Sequence, residues 1–87
     1  MKIKDGYMLS NVAGKYIVVP LGSEALDFNG IITTNETGAF LWKCLENDIS
    51  EKDLLTALLK EYDIDEKMAA EDLSDLINKL KEAELLV

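Results

Sequence analysis

Apolar and polar positions follow two different periods along this chain of 87 residues, and the change falls near residue 35. Before it, residues 7–10 and 16–19 are rich in aromatic, β-branched and aliphatic side chains, a composition typical of strands. Ala13-Gly14 lies between these runs as a turn, so they are predicted to form an antiparallel hairpin. Pro20 has no N–H to donate and should mark either the end of the second strand or an unpaired position.

A further β-prone stretch covers residues 25–34. It contains Asn29-Gly30, the dipeptide preferred in type I′ turns, so it could be a small hairpin or one strand with a bend. We predict a strand over residues 31–34 and leave residues 25–28 open.

The remaining residues have helical periodicity and three N-cap signals. Asn35, Ser50 and Asp65 each precede a predicted helix, and their side-chain oxygens can accept hydrogen bonds from the first turn. The first helix is predicted over about 36–45. Within it, Gly38 has low helix propensity and indicates a place where another part of the chain packs closely.

Two apolar stripes identify the predicted core of the later helices. Their members recur at helical spacing: Leu54, Leu55, Leu58, Leu59 and Tyr62 in the second helix, and Ala69, Leu73, Leu76, Ile77 and Leu80 in the third. The fold class is therefore α+β, a single domain over residues 1–87 with an N-terminal three-stranded antiparallel sheet followed by three α-helices.

Charge narrows the range of partners. The chain has 17 acidic residues, 9 lysines and no arginine, for a net charge of −8. This balance repels phosphate backbones and anionic lipid, so we expect no nucleic acid and no membrane partner. No basic amino-terminal region precedes an apolar segment, and no apolar run approaches 20 residues. The expected location is the cytoplasm.

The residue types in the sequence also restrict the catalytic and metal-binding chemistry that the chain can perform. Histidine is missing from the sequence, which excludes Ser–His and Cys–His nucleophiles and the common His-containing zinc sites. Cys44 is the only cysteine and is predicted to be a small buried hydrophobe. We therefore expect no catalytic residues, no metal and no cofactor.

The third strand lies at an edge of the predicted sheet. An open edge presents unpaired backbone donors and acceptors, and it can bind a peptide as an additional strand. Alternatively, the third helix or a flanking loop covers this edge.

The residue order resembles the PqqD family. The resemblance rests on Gly14-Lys15-Tyr16-Ile17-Val18-Val19-Pro20, on Thr34-Asn35-Glu36-Thr37-Gly38-Ala39-Phe40-Leu41-Trp42, and on Ala70-Glu71-Asp72-Leu73 before a terminal Glu84-Leu85-Leu86. No single piece is specific, but their order and spacing over residues 7–87 are. Members are winged-helix-like, non-catalytic domains that recognise the leader segment of a ribosomally synthesised precursor peptide. They present it to a modifying enzyme, such as a radical SAM protein or lasso-peptide machinery.

The resemblance implies that the leader pairs with the third strand and lies against the third helix. The implied peptide-binding residues are Ile31, Ile32, Thr33 and Thr34 on the strand, and Asp72, Leu76, Lys79 and Ala83 on the helix. A proline at Ile32 is expected to weaken binding by removing an edge N–H. Phe40, Leu41 and Trp42 are expected to hold the helices together rather than to contact a ligand.

One feature of the sequence departs from the family pattern, and three alternative functions can be compared with the one that the family implies. The segment 25–30 is longer than the connection expected in pyrroloquinoline quinone members, which favours another peptide product. A winged-helix DNA-binding protein is disfavoured because the third helix is acidic, with Glu66, Glu71, Asp72, Asp75, Glu82 and Glu84. An acyl carrier is disfavoured because Ser74 is predicted to lie mid-helix. A general protein–protein adaptor remains an alternative.

Overall fold

The computed structural model describes residues 1–22 and 32–87, and it contains a three-stranded sheet followed by three helices. The elements are β1 (Tyr7–Val12), β2 (Lys15–Pro20), β3 (Thr33–Thr34), α1 (Glu36–Leu45), α2 (Glu51–Glu61) and α3 (Glu66–Glu82). The strands are antiparallel and lie in the order β1-β2-β3. The predicted α+β architecture is confirmed. The Asn29-Gly30 turn, residues 25–28 and Ile31 lie outside the described residues.

The hairpin is longer than predicted but is centred where expected. β1 and β2 pair from Tyr7 opposite Pro20 to Val12 opposite Lys15. Ala13 and Gly14 form the turn with φ values of 53° and 82°. Two consecutive positive φ values are characteristic of a type I′ turn, whose twist matches that of the flanking strands. Pro20 is the last residue of β2, as predicted.

β3 is shorter than the predicted strand over 31–34. Thr33 pairs with Ile17 and Thr34 pairs with Tyr16. Ile32 lies just before the strand, but its carbonyl oxygen accepts a hydrogen bond from the Val18 N–H at 3.0 Å. The pairing of β3 with β2 therefore extends to Ile32, although the regular strand does not.

All three predicted N-caps are present. The Asn35 side chain accepts from the Gly38 N–H at 2.9 Å, Ser50 Oγ accepts from Asp53 at 3.1 Å, and Asp65 Oδ1 accepts from Met68 at 2.8 Å. Each bond satisfies one of the backbone donors that a helix leaves unpaired in its first turn. The starts of α1, α2 and α3 are therefore encoded locally.

The core lies where the helices pack against each other and against the inner face of the sheet. The predicted stripe of α3 is buried along its whole length: Ala69, Leu73, Leu76, Ile77 and Leu80. In the stripe of α2, Leu54 and Leu58 are fully buried, whereas Leu55, Leu59 and Tyr62 are partly buried at its margin.

The two ends of the chain contribute a part of the core that the periodicity did not predict. Ile3 and Leu85 are buried, and Ile3 forms an antiparallel bridge with Leu86. The Leu85 N–H reaches the Leu80 carbonyl while Glu84 (φ 59°) bonds to Lys81, which is the Schellman arrangement. This turn ends α3 at Glu82, so Glu84 lies beyond the helix.

Cys44 is partly buried against the core. Burial, followed by the nearby Glu61 carboxylate, raises the pKa of its thiol. The raised pKa disfavours the thiolate, in agreement with a packing role. In the described ranges 1–22 and 32–87, none of the helices has the length and apolarity needed to cross a membrane.

Candidate functional site

The contact between Gly38 and Thr34 fixes the position of β3 on the helices. A Cβ built at Gly38 would overlap the Thr34 hydroxyl and lie 2.8 Å from the Thr34 Cβ. Real Cβ atoms do not approach that closely, so this position of α1 requires glycine while Thr34 stays in place. The close packing predicted from Gly38 is confirmed, and the partner is the last residue of β3.

The alternation of β3 determines which backbone groups are accessible. The Val18 N–H bonds to Ile32, so Ile32 and Thr34 direct their backbone groups toward β2. Thr33 lies between them and directs its N–H and C=O away from β2, toward the sheet edge. The expectation that Ile32 carries an edge N–H is therefore wrong. Thr33 is the described residue of β3 whose N–H faces that edge.

A narrow groove of about 120 Å³ separates the end of β3 from α3. Its lining comes from the end of β3, the start of α1 and one face of α3: Thr34, Asn35, Gly38, Asp72, Asp75, Leu76 and Lys79. Residues 72, 75, 76 and 79 have the spacing i, i+3, i+4 and i+7, so successive turns of α3 present them on the same side. The Asn35 cap and the Gly38 contact place the first turn of α1 at the end of this groove.

The groove has an apolar base and a charged rim. Leu76 is only 4% exposed and belongs to the core as well as to the groove wall. Asp72 is partly buried, whereas Asp75 and Lys79 are exposed. Two carboxylates and one ammonium therefore surround a small apolar surface. Such a site can accept a short apolar side chain while hydrogen bonding to polar groups beside it.

The structure brings four of the predicted site residues together: Thr34, Asp72, Leu76 and Lys79. It places Thr33 at the adjacent edge and Ile32 at the core margin. Ala83 is the C-cap of α3 and is not part of the groove lining. Ile31 lies outside the described residues. Asp75, which sequence reasoning missed as a groove residue, could have been found from its spacing of three residues from Asp72 and four from Lys79.

The residues after Gly38 divide between core and surface. Leu41 and Trp42 are buried, as expected for residues that hold the helices together. Phe40 is only partly buried and packs edge-to-face on Tyr62, with ring centroids 5.7 Å apart and an interplanar angle of 87°. None of these three side chains lines the β3–α3 groove.

The groove region contains no group of metal ligands. Across the described part of the chain, no three His, Cys, Asp or Glu side chains are arranged to hold a metal ion. Ser74 lies in the middle of α3 and is exposed. A phosphopantetheine-carrying serine should instead open a helix in an all-helical fold, so the acyl-carrier alternative does not agree with this structure.

A winged-helix-like domain with a narrow groove beside a strand edge is the class that the fold and the groove define. The chain belongs to the PqqD family: the sequence model described as Coenzyme PQQ synthesis protein D (PqqD) matches residues 8–86. The family resemblance in the sequence is thus confirmed. No curated protein matches the chain at a significant level.

Two solved structures share the fold. One is described as "TbiB1 in Complex with the TbiA(beta) Leader Peptide"; it has a TM-score of 0.70 and 23% identity, covering 99% of this chain and 94% of that chain. The other is described as "Lasso peptide synthetase B1 complexed with the leader peptide"; it has a TM-score of 0.66 and 19% identity, covering 97% and 93% of the respective chains. Both likenesses extend over the whole domain and show a common architecture.

Proposed function

We propose that this domain recognises the leader segment of a ribosomally synthesised precursor peptide and has no catalytic role of its own. The observation that carries the proposal is the position of the Thr33 edge beside the β3–α3 groove. An extended peptide can pair with the edge through its backbone and place alternate side chains in the groove. Membership of the PqqD family and the leader-peptide complexes of both structural neighbours support this proposal.

In this mechanism backbone pairing provides affinity and the groove provides selectivity. The Thr33 N–H and C=O form the pairing with the leader. An apolar leader side chain contacts Leu76, while Asp72, Asp75 and Lys79 bond to polar or charged groups next to it. The predicted leader contacts also include Ile31 and Ile32, which precede β3 in the sequence, and Ala83 near the end of α3. The bound leader then presents the rest of the precursor to a modifying enzyme.

The modifying enzyme is the second expected partner. We propose a radical SAM maturase or a lasso-peptide enzyme, and the lasso-peptide neighbour favours the latter class. The long segment 25–30 disfavours a role in pyrroloquinoline quinone formation. The acidic surface of α3 gives no support to DNA binding, because a recognition helix needs basic side chains near phosphates.

The direct test is titration calorimetry with the leader of a precursor peptide encoded beside this gene. Thr33→Pro removes the edge N–H without breaking a bond to β2, so it should lower leader affinity about tenfold or more. Asn11→Pro is the matched control. Asn11 pairs with Tyr16 in β1, and the ladder pattern directs its N–H toward the opposite sheet edge.

Thermal unfolding of each variant separates lost binding from lost folding. The proposal requires that Thr33→Pro stays folded and loses affinity, while Asn11→Pro keeps affinity. Lys79→Ala, at an exposed groove residue, should change affinity by a smaller factor. Equal leader affinity in the wild type and in a folded Thr33→Pro variant would refute pairing at β3. A wild-type protein that binds no leader at high micromolar concentration would refute the function itself.

A further inference from the structure

A second and larger pocket lies on the other flank of α1. It has a volume of about 510 Å³ and is bounded by the hairpin, α1 and the end of α2. The chain has six aromatic residues, one Trp, three Tyr and two Phe, and five of them line this pocket. They are Tyr7, Tyr16, Phe40, Trp42 and Tyr62. Leader recognition at β3 uses none of these side chains, so their concentration here needs another explanation.

The aromatic side chains form a surface and not a closed core. Trp42 is 3% exposed and contributes an inner wall. Phe40 and Tyr62 are partly buried in their edge-to-face pair, and Tyr7 and Tyr16 are partly buried on the sheet. Four rings therefore keep accessible area around one pocket. We call this site the acidic aromatic pocket, for the rings and for the carboxylates at its rim.

The rim is negatively charged. Glu36, Glu46 and Glu61 line the pocket with a single cation, Lys43, and all four side chains are exposed. The field of two of these carboxylates reaches Tyr62. The pKa of the Tyr62 hydroxyl is raised, first by burial and then by Glu36 and Glu61. Aromatic faces and carboxylates both attract cations, and a guanidinium can stack on a ring while it pairs with a carboxylate.

We propose that the acidic aromatic pocket binds an arginine side chain, with its flanking apolar residues, on a protein partner other than the leader peptide. Charge complementarity selects the cation, and the rings cover its aliphatic stem. The pocket volume exceeds that of one side chain, which leaves room for an apolar neighbour. The preference of the pocket for a cation does not depend on the proposed leader-binding function. Only the statement that the arginine belongs to a second partner, separate from the leader, rests on that function.

The position of the pocket allows both partners to bind at once. Gly38 borders the β3–α3 groove, whereas Ala39, Phe40 and Lys43 border the pocket, so α1 separates the two sites. In the sheet, β2 lies between the β3 edge and β1. A peptide bound along β3 therefore does not cover the aromatic side chains. The domain could hold a leader on one flank of α1 and the modifying enzyme on the other.

The test uses two short synthetic probes that differ only in charge. The first is acetyl-Gly-Leu-Arg-Leu-Gly-amide, and the second replaces its arginine with citrulline, which has nearly the same shape but is neutral. Binding is measured by amide chemical-shift perturbation and by the fluorescence of Trp42, the only tryptophan. We expect saturable shifts around Phe40, Trp42 and Tyr62, and about tenfold weaker binding of the citrulline probe.

Charge-neutral variants identify the rim as the cause. Glu36→Gln with Glu61→Gln should clearly reduce the preference for arginine over citrulline, with the remainder due to Glu46 and the aromatic faces. The matched control is Glu51→Gln with Glu71→Gln, which removes the same charge from exposed helical positions outside the pocket. Glu51, like Glu36, lies in the first turn of a helix, so the two pairs share one helix-dipole change. The control should keep the preference.

Several outcomes would overturn the proposal. The first two are the lack of saturable chemical-shift changes with the arginine probe and equal affinity for the two probes. The others are chemical-shift changes confined to β3 and α3, and an equal loss of arginine preference in the two double variants. Self-association that disappears in Glu36→Gln with Glu61→Gln would assign the pocket to a lysine of a second copy, which also overturns it. Thr33→Pro should leave probe binding unchanged, so failure of leader recognition and failure at this pocket are distinguishable.

Discussion

The two flanks of α1 differ in the size of the side chains that face the neighbouring strands. On the groove flank, Gly38 lets Thr34 approach so closely that only about 120 Å³ remains between β3 and α3. On the pocket flank, large aromatic residues line a space of about 510 Å³ beside the hairpin. One helix therefore borders a narrow polar groove suited to a short side chain and a broad aromatic surface suited to a larger one.

The difference shows how a domain of this size can have two surfaces without a large cavity. Each surface is formed at the margin of the same core, and Leu76 and Trp42 belong both to that core and to the surface beside it. Changes on one flank should leave the other intact if α1 itself stays in place.

Gly38→Ala should have the largest effect, because its new Cβ overlaps Thr34. Because the new Cβ meets both the hydroxyl and the Cβ of Thr34, the cost should lie near the upper end of the usual range of about 1–3 kcal/mol for overpacking. The better helix propensity of alanine offsets about 1 kcal/mol, which leaves a net loss of about 2 kcal/mol. For a domain of this length, each 1 kcal/mol lowers Tm by about 4–8 °C. We expect a lower Tm and weaker leader binding, with arginine-probe binding at the acidic aromatic pocket unchanged. Thermal unfolding and titration calorimetry measure these effects.

Thr34→Ala provides the matched test of the cause. It removes the hydroxyl that meets the new Cβ, so the double variant Gly38→Ala with Thr34→Ala should recover part of the lost stability. A double-mutant cycle gives the coupling energy between the two positions. If the two changes are additive, the Gly38–Thr34 contact does not limit the packing of β3.

Asn35→Ala should have an intermediate effect and can be compared with Ser50→Ala. Each variant removes one side-chain cap, at 2.9 Å in α1 and at 3.1 Å in α2, and each should cost about 1 kcal/mol of stability. Asn35 also lines the groove, whereas Ser50 does not. We therefore expect similar losses of Tm but weaker leader binding only in Asn35→Ala. Identical leader affinities in the two variants would show that Asn35 contributes nothing beyond the helix start.

The smallest effect concerns the pH dependence of Cys44. Burial and Glu61 raise its pKa, so less thiolate is present at a given pH than for a free cysteine. Alkylation by iodoacetamide should therefore rise with pH along a curve displaced above that of a free thiol. Glu61→Gln should move the curve part of the way back, because burial remains, and Glu71→Gln should not move it. A curve that is the same in all three proteins would remove Glu61 from the environment of Cys44.

Titration of the Cys44 thiol also makes the folding stability depend on pH. The folded thiol has a raised pKa, so its contribution to stability is fully present below the unfolded pKa. It decreases as pH rises through the folded value, because the unfolded chain then loses its proton more readily. Tyr62 follows the same sign at higher pH, since its pKa is also raised.

The sequence by itself determined the elements that depend on neighbours in the chain. The helix starts at Asn35, Ser50 and Asp65 follow from side chains three residues from their backbone partners. The hairpin follows from strand-forming runs around Ala13-Gly14, and the stripe on α3 from its helical period. The order of these signals was also sufficient to identify the family.

Only the tertiary structure decided which groups face which surface. The hydrogen bond from the Val18 N–H to the Ile32 carbonyl sets the alternation of β3. The N–H that faces the sheet edge therefore belongs to Thr33 and not to Ile32. The bridge between Ile3 and Leu86 holds Leu85 in the core, and the meeting of the hairpin with α1 and α2 gathers five aromatic residues around one pocket. These features depend on register and on contacts between residues far apart in the chain. Local propensity specifies neither, because both are fixed only when the elements pack together.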